Sequence, residues 1–248
     1  MSPLVAAIGL SLAGGLGGLL CASLLLLVPA AHRARLVPSL VSYAVGALLG
    51  VALMALLPEA LEQRPPSHVF GTLLGGILGF FVLEKAVLWR HCHTDECEVH
   101  GASASLVLLG DAFHNFVDGA MIGAAVLTSM PLGISAAVAV TAHEIPQEIG
   151  DFAVLLHAGY SRGKALMLNA LSALASVAGA IAAVLLVNVL PGLLPYLLAV
   201  AASSFLYVAM SDLIPDLHHR GPTGTVAIRQ VILIGLGMAT VLFLQEAI

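Results

Sequence analysis

The chain alternates long apolar runs with short polar interruptions, and eight of these runs are long enough to cross a lipid bilayer as helices. A membrane-spanning helix needs about 20 predominantly apolar residues. The uncharged stretch between Ala165 and Ser211 is too long for one span, so we divide it at the turn residues Pro191 and Gly192. The predicted spans are approximately 4–31, 36–61, 67–89, 103–129, 132–158, 164–189, 192–217 and 225–246.

Composition excludes an ordinary soluble domain. Hydrophobic residues make up 60% of the chain and charged residues only 9%, whereas about 25% of the residues of a soluble domain are charged. No basic excess supports nucleic-acid binding, and three cysteines, an odd number, argue against a disulfide scaffold. We predict an all-α, multi-pass protein of the lipid bilayer. It is a single transmembrane domain over residues 1–248, with its first apolar run retained as a helix.

The basic residues predict the orientation. Eight of the nine Lys and Arg residues lie in or beside alternate connections, and only Arg64 lies on the other side. Because basic residues concentrate on the cytoplasmic side, we place those connections in the cytoplasm and both termini outside, in a plasma or inner (cytoplasmic) membrane. The eight are Arg33, Arg35, Lys85, Arg90, Arg162, Lys164, Arg220 and Arg229.

The connection between spans 3 and 4, residues 91–100, has a composition of its own. It holds three His, two Cys and three acidic residues, which is a metal-attracting mixture in the reducing cytoplasm. We predict weak or transient metal capture there, with a solvated polar loop as the alternative. The candidate ligands are His91, Cys92, His93, Cys97 and His100.

Spans 4 and 5 carry polar side chains near the middle of the membrane. Residues four apart, such as His114 and Asp118 or Glu144 and Glu148, lie one turn apart on the same helix face. Two neighbouring ligand stripes result, enough for one metal ion or two adjacent ones. The polar positions are Asp111, His114, Asn115 and Asp118 in span 4, and His143, Glu144, Gln147, Glu148 and Asp151 in span 5.

Five of these residues are carboxylates, yet no Lys or Arg occurs between His91 and Tyr160. Each acid at the centre of a spanning helix costs roughly 2.5–3.5 kcal/mol, so protons, water or bound cations must offset the charge. Imidazole together with carboxylate suits Zn²⁺ or a similar transition metal, although individual members could serve helix packing instead. The predicted metal ligands are His114, Asn115, Asp118, His143, Glu144, Gln147 and Glu148, with Asp111 and Asp151 beside the pathway.

Further acids are predicted along the path through the membrane. Glu59 follows Pro58 at the outer end of span 2, whereas Asp212 and Asp216 flank Pro215 near the cytoplasmic end of span 7. Two similar Pro-acid endings on opposite sides indicate an inverted repeat, which is a frequent plan in transporters.

The motifs His114-Asn-Phe-Val-Asp118-Gly and His143-Glu-Ile-Pro-Gln-Glu-Ile-Gly-Asp151 resemble those of the ZIP (Zrt-, Irt-like protein) family of divalent metal transporters. The resemblance implies zinc uptake into the cytoplasm by alternating access, through a binuclear centre in a three-two-three helix arrangement. It also implies a homodimer. The first metal position would be His114, Asp118, His143 and Gln147, and the second would use Asn115 and Glu144 with a bridging contribution from the neighbouring position.

Two positions depart from the family pattern. Gln147 stands where the most similar animal branch has a second His, so selectivity is expected to relax toward Fe²⁺, Mn²⁺ or Cd²⁺. Span 6 has no carboxylate; Ser176 is the apparent counterpart of an acid that some members place at the second position.

Two other functions are weighed against transport. His143-Glu144 begins like the His-Glu-x-x-His motif of a zinc protease, which would make the chain an intramembrane metalloprotease. The position of the second histidine is, however, Gln147. A metal sensor without transport is the other alternative. We predict a transporter and no enzyme activity.

Overall fold

A computed structural model describes residues 2–89, 100–219 and 224–247, and the described elements are all helices. Each predicted span corresponds to one helical segment, with small differences at the ends. The segments are α1 (Pro3–Leu26), α2 (Ala30–Gln63), α3 (Pro66–Trp89), α4 (His100–Thr128), α5 (Met130–His157), α6 (Arg162–Val189), α7 (Pro191–His218) and α8 (Gly224–Ala247).

Six of the segments, all except α4 and α5, are long and apolar enough to cross a membrane. The other two are as long, at 29 and 28 residues, and they carry the polar positions predicted as ligands. The prediction of an all-α membrane protein is therefore confirmed. Crossing by all eight segments stays a prediction.

The connection between α1 and α2 is shorter than predicted. Helix α1 ends at Leu26 rather than near residue 31, and α2 begins at Ala30 rather than near residue 36. The polar residues that indicated a loop form the first turns of α2, where Arg33 Nη1 donates a hydrogen bond to the Leu26 carbonyl at 3.1 Å. A cationic side chain thus satisfies a free carbonyl at a helix C-terminus.

The helices pack as two groups. In one group α4 packs along α6 and α1 along α5; in the other α2 packs along α8 and α3 along α7. Helix α2 also packs against α5 and so joins the groups. The contact between α4 and α6 is backbone to backbone, because a Cβ on Gly119 would overlap the Ser176 backbone and one on Gly179 would overlap the Phe116 carbonyl.

Helices α2 and α7 each contain a π-helical segment, at Ala52–Leu56 and Val208–Leu213. The Leu57 N–H donates to the Ala52 carbonyl, and the Ile214 N–H donates to the Ala209 carbonyl, five residues back in each case. Each donor immediately precedes a proline, which cannot continue the regular hydrogen-bond ladder. The sequence predicted uniform helices here, because a local widening leaves no hydrophobic signature.

Candidate metal centre

His114 and His143 meet across two antiparallel helices. The turn between α4 and α5 is tight, and the Ser129 hydroxyl caps α5 by accepting a hydrogen bond from the Leu132 N–H at 3.2 Å. The two histidines therefore lie at similar depth in the bundle. Their Nε2 atoms are 3.1 Å apart.

Two carboxylates join these imidazoles. Asp118 Oδ2 lies 3.1 Å from His143 Nε2 and 3.7 Å from His114 Nε2. Glu144 Oε1 lies 3.7 Å from His114 Nε2 and 3.8 Å from His143 Nε2. One ligand atom from each of the four residues lies within 4.8 Å of all the others. We call His114, Asp118, His143 and Glu144 the four-residue cluster.

The backbone fixes the orientation of the His143 ring. Its Nδ1 atom lies 3.0 Å from the Ala139 carbonyl oxygen, one turn earlier in α5. A carbonyl only accepts, so Nδ1 donates a proton to it and Nε2 faces the cluster. Metal-binding histidines are commonly held this way by their second nitrogen. The spacing of four residues could have predicted this contact.

The carboxylates of the cluster lack ordinary partners. Asp118 and Glu144 are fully buried, and within the described residues none of their four oxygens has a hydrogen-bond partner. Their ion-pair contacts in that part of the chain are with the two histidines. Buried charge without a partner is costly, so the cluster is suited to a cation.

The spacing of the ligand atoms fits a tetrahedral ion. Zn–N bonds of about 2.0–2.1 Å at tetrahedral angles separate two ligand atoms by roughly 3.3–3.4 Å. The observed separations of His143 Nε2 from its two nearest neighbours are both 3.1 Å. Small side-chain movements would bring the imidazoles and carboxylates onto one Zn²⁺ ion.

Asp111 connects the two predicted amide ligands. Its Oδ1 atom accepts hydrogen bonds from Asn115 Nδ2 at 3.0 Å and from Gln147 Nε2 at 3.3 Å. Asn115 is fully buried, whereas Gln147 borders a cavity. The structure therefore turns the nitrogens of both amides toward Asp111.

The remaining predicted residues lie around this centre. Glu148 is 1% exposed, and both of its carboxylate oxygens lack a hydrogen-bond partner among the described residues. The Ser176 hydroxyl is hydrogen-bonded to the Ala173 carbonyl at 2.7 Å. Ser176 Oγ and Asn115 Oδ1 both face the backbone of Gly15, where a Cβ would lie 3.1 and 3.5 Å from them. Ser176, the predicted counterpart of an acid in span 6, thus places a neutral hydroxyl in the neighbourhood of Asn115.

A cavity of about 710 Å³ leads away from the cluster. It is bordered by His114 and His143 at one end and by Asp151, Asp212 and Asp216 farther along. Helices α2, α3, α4, α5 and α7 form its walls. The two predicted pathway acids of α7, Asp212 and Asp216, thus line the same cavity as the histidines of the cluster.

The cavity runs toward one end of the bundle. Val37 borders it near the start of α2, and Leu83 borders it near the end of α3. This is the end that carries Arg33 and Lys85. Glu59 lies at the other end of α2, where its Oε1 accepts a hydrogen bond from Gln63 Nε2 at 2.9 Å.

Packed apolar side chains lie on the opposite side of the cluster. Ile122, Val140, Leu198 and Phe205 are each no more than 1% exposed and belong to one hydrophobic core. The Phe205 ring stands edge-on to His143, with 6.4 Å between ring centroids. The sequence did not single out Phe205, because a buried aromatic residue looks like any other core position.

The predicted capture loop cannot be compared with the structure. His91, Cys92, His93 and Cys97 lie outside the described residues, and His100 is the first residue of α4.

Comparison with known proteins points in one direction. The family model described as ZIP Zinc transporter matches residues 89–245. Zinc transporter ZIP4 of Homo sapiens is 49% identical over 110 residues, which cover 44% of this chain and 17% of that protein. Zinc transporter ZIP10 of Danio rerio is 45% identical over 116 residues, covering 47% of this chain and 14% of that protein.

A longer match, at 36% identity over 154 residues, is to Zinc transporter ZIP10 of Mus musculus and covers 55% of this chain and 18% of the relative. The matching part of the chain therefore spans less than a fifth of the length of each of these relatives. The family match covers more than half of the chain and includes both polar motifs. The chain belongs to the ZIP zinc transporter family.

Proposed function

We propose that the chain carries Zn²⁺ across a plasma membrane into the cytoplasm by alternating access, with the four-residue cluster as its mid-membrane binding site. One observation carries this proposal. Two imidazoles and two buried carboxylates without hydrogen-bond donors converge within 4.8 Å. The relatives named above as zinc transporters support the same cargo.

The position of the cavity supports the direction of transport. It opens from the cluster toward the end rich in basic residues, which the positive-inside rule assigns to the cytoplasm. Both termini then lie outside. Metal would pass Glu59, exchange its water for the cluster, and leave past Asp212 and Asp216.

The packing of the helices supports alternating access. A packed core on one side and a cavity on the other give the cluster access to one side at a time. The two groups, α1, α4, α5 and α6 against α2, α3, α7 and α8, would move relative to each other. The matching π segments before Pro58 and Pro215 support an inverted repeat within a three-two-three arrangement.

The residues around the cluster supply a second, weaker metal position. Gln147 completes the first position with His114, Asp118 and His143, and its neutral oxygen relaxes selectivity toward Fe²⁺, Mn²⁺ or Cd²⁺. Asn115 begins the second, together with Glu144, which the two positions share. Ser176 gives that position no charge, so the first ion dominates binding. The homodimer implied by the family resemblance stays a prediction.

A protease function is not supported by comparable observations. The relatives are named as zinc transporters rather than enzymes. Glu144, which would activate water in a protease, lies among the four ligand atoms of the cluster. A second histidine at position 147 is missing.

Purified protein in liposomes tests the transport function. Zinc is added outside, and a fluorescent chelator inside reports its uptake. His143→Ala and Asp118→Ala should abolish uptake, whereas His32→Ala, at an exposed position early in α2, should not. Wild-type vesicles that take up no metal faster than protein-free vesicles would overturn the proposal.

A further inference from the structure

We propose that Asp111 is a positioning residue that turns the carbonyl oxygens of Asn115 and Gln147 toward the transported cation. The inference rests on the proposed function, because it assigns a role around the same binding site. Asp111 is not a member of the four-residue cluster. It acts through the two amides.

The hydrogen bonds of Asp111 define how both amides are oriented. Asn115 Nδ2 donates to Asp111 Oδ1 at 3.0 Å and also lies 3.2 Å from the Asp111 backbone carbonyl. Gln147 Nε2, from the neighbouring helix α5, donates to the same Oδ1 at 3.3 Å. One carboxylate oxygen therefore binds an amide nitrogen from each helix that contributes to the cluster.

The chemistry of these groups makes the orientation obligatory. An amide group donates through nitrogen and accepts through oxygen, whereas a carboxylate only accepts. Each amide must therefore present its nitrogen to Asp111 and direct its oxygen elsewhere. Only the oxygen of an Asn or Gln side chain can ligate a metal ion.

The Asn115 oxygen is left free by this arrangement. Asn115 is fully buried, and its Oδ1 has no hydrogen-bond partner among the described residues. An unsatisfied buried acceptor costs free energy, and a cation at the second position proposed for Asn115 and Glu144 would satisfy it. Gln147 is set on the wall of the cavity, where a passing ion would reach it.

Loss of the carboxylate would release both amides. An Asn side chain at position 111 can donate as well as accept, so either neighbouring amide could rotate and point its NH₂ group at the cation. Removal of an outer-shell partner commonly costs about 10–100-fold in metal affinity. The same loss is expected for Asp111→Asn.

The test measures zinc affinity of the purified, full-length protein in detergent by competition with a chelator, alongside the KM of uptake in liposomes. Asp111→Asn should weaken zinc binding by about 10–100-fold. Asp151→Asn is the matched control, because it removes one acid from the wall of the same cavity. It should weaken zinc binding much less than Asp111→Asn does. Asp111→Glu keeps an acceptor-only group and should retain most of the affinity; it also covers the case in which Asp111→Asn does not fold.

A second background separates positioning from simple attraction of charge. The carboxylate introduced by Gln147→Glu has two equivalent oxygens and needs no orientation. Adding Asp111→Asn to Gln147→Glu should therefore reduce zinc affinity less than Asp111→Asn does in the wild type. Equal losses in both backgrounds, or equal losses for Asp111→Asn and Asp151→Asn, would overturn the inference. Wild type that binds zinc without transporting it would reject the proposed function alone, whereas wild type that binds no metal would reject both.

Discussion

The Nε2 atoms of His114 and His143 lie 3.1 Å apart across the contact between α4 and α5. Because the Ala139 carbonyl engages the other nitrogen of His143, this close pair brings two imidazole nitrogens into a site that already holds two carboxylates. The arrangement is favourable only with a proton or a metal ion among these atoms. Metal-free protein should therefore carry a stability cost that zinc relieves.

Glu144→Gln should stabilise the metal-free protein while it abolishes transport. The substitution removes a buried carboxyl group that must hold either a proton or an unpaired charge when no metal is bound, and it places amide donors beside the Asp118 carboxylate. We expect the free energy of unfolding to rise by about 1–3 kcal/mol. Thermal unfolding in detergent with excess chelator measures the change.

Added zinc should make the wild type more stable than Glu144→Gln. Binding stabilises the wild type according to the ratio of zinc concentration to Kd, whereas Glu144→Gln should gain little. Glu62→Gln, at an exposed position of α2, is the matched control and should behave like the wild type. A metal-free Glu144→Gln protein no more stable than the wild type would contradict the cost assigned to the buried carboxyl group.

Gln147→His should tighten zinc binding and narrow metal selectivity. An imidazole is a stronger ligand for Zn²⁺ than a neutral amide oxygen, and the residue lies one turn from His143 on the same face. Uptake assays in which Mn²⁺, Fe²⁺ or Cd²⁺ competes with Zn²⁺ measure the effect. Gln245→His, in α8 at a position that does not border the cavity, should leave selectivity unchanged. Unaltered competition in Gln147→His would show that residue 147 does not contact the ion.

Val208→Cys should react with a membrane-impermeant thiol reagent applied from the cytoplasmic side. Val208 borders the cavity, whereas Val51 is fully buried in the apolar core. Val51→Cys is therefore the control and should not be labelled. The three native cysteines are first replaced by serine. Zinc should slow the labelling of Val208→Cys by occupying the route. Faster labelling from the outside would reverse the orientation proposed for the bundle.

The sequence was sufficient for the helices and for the proximity of the central candidate ligands. A bilayer demands about 20 apolar residues per span, so the runs along the chain determine the segments. Carboxylates without Lys or Arg neighbours along the chain indicate a cation. The four-residue spacing of His114 and Asp118, repeated in α5, then placed these ligands on facing surfaces.

Other features depend on contacts that no one-dimensional pattern records. The early start of α2 follows from Arg33, whose guanidinium reaches back to the carbonyl of Leu26; charge alone indicated a loop. Asp111 looked like one pathway acid among several, since its shared contact with Asn115 and Gln147 depends on side-chain rotamers. The side on which the cavity opens depends on the relative position of two helix groups.

The π segments have a consequence for anyone who draws α2 or α7 as a helical wheel. A π segment holds one surplus residue, and one residue corresponds to about 100° of rotation in a regular helix. A wheel counted from Leu48 or Leu198 therefore assigns Glu59 and Asp216 to the wrong sector. Mutational scans designed on such wheels would misidentify which substitutions face the ion and which face the lipid.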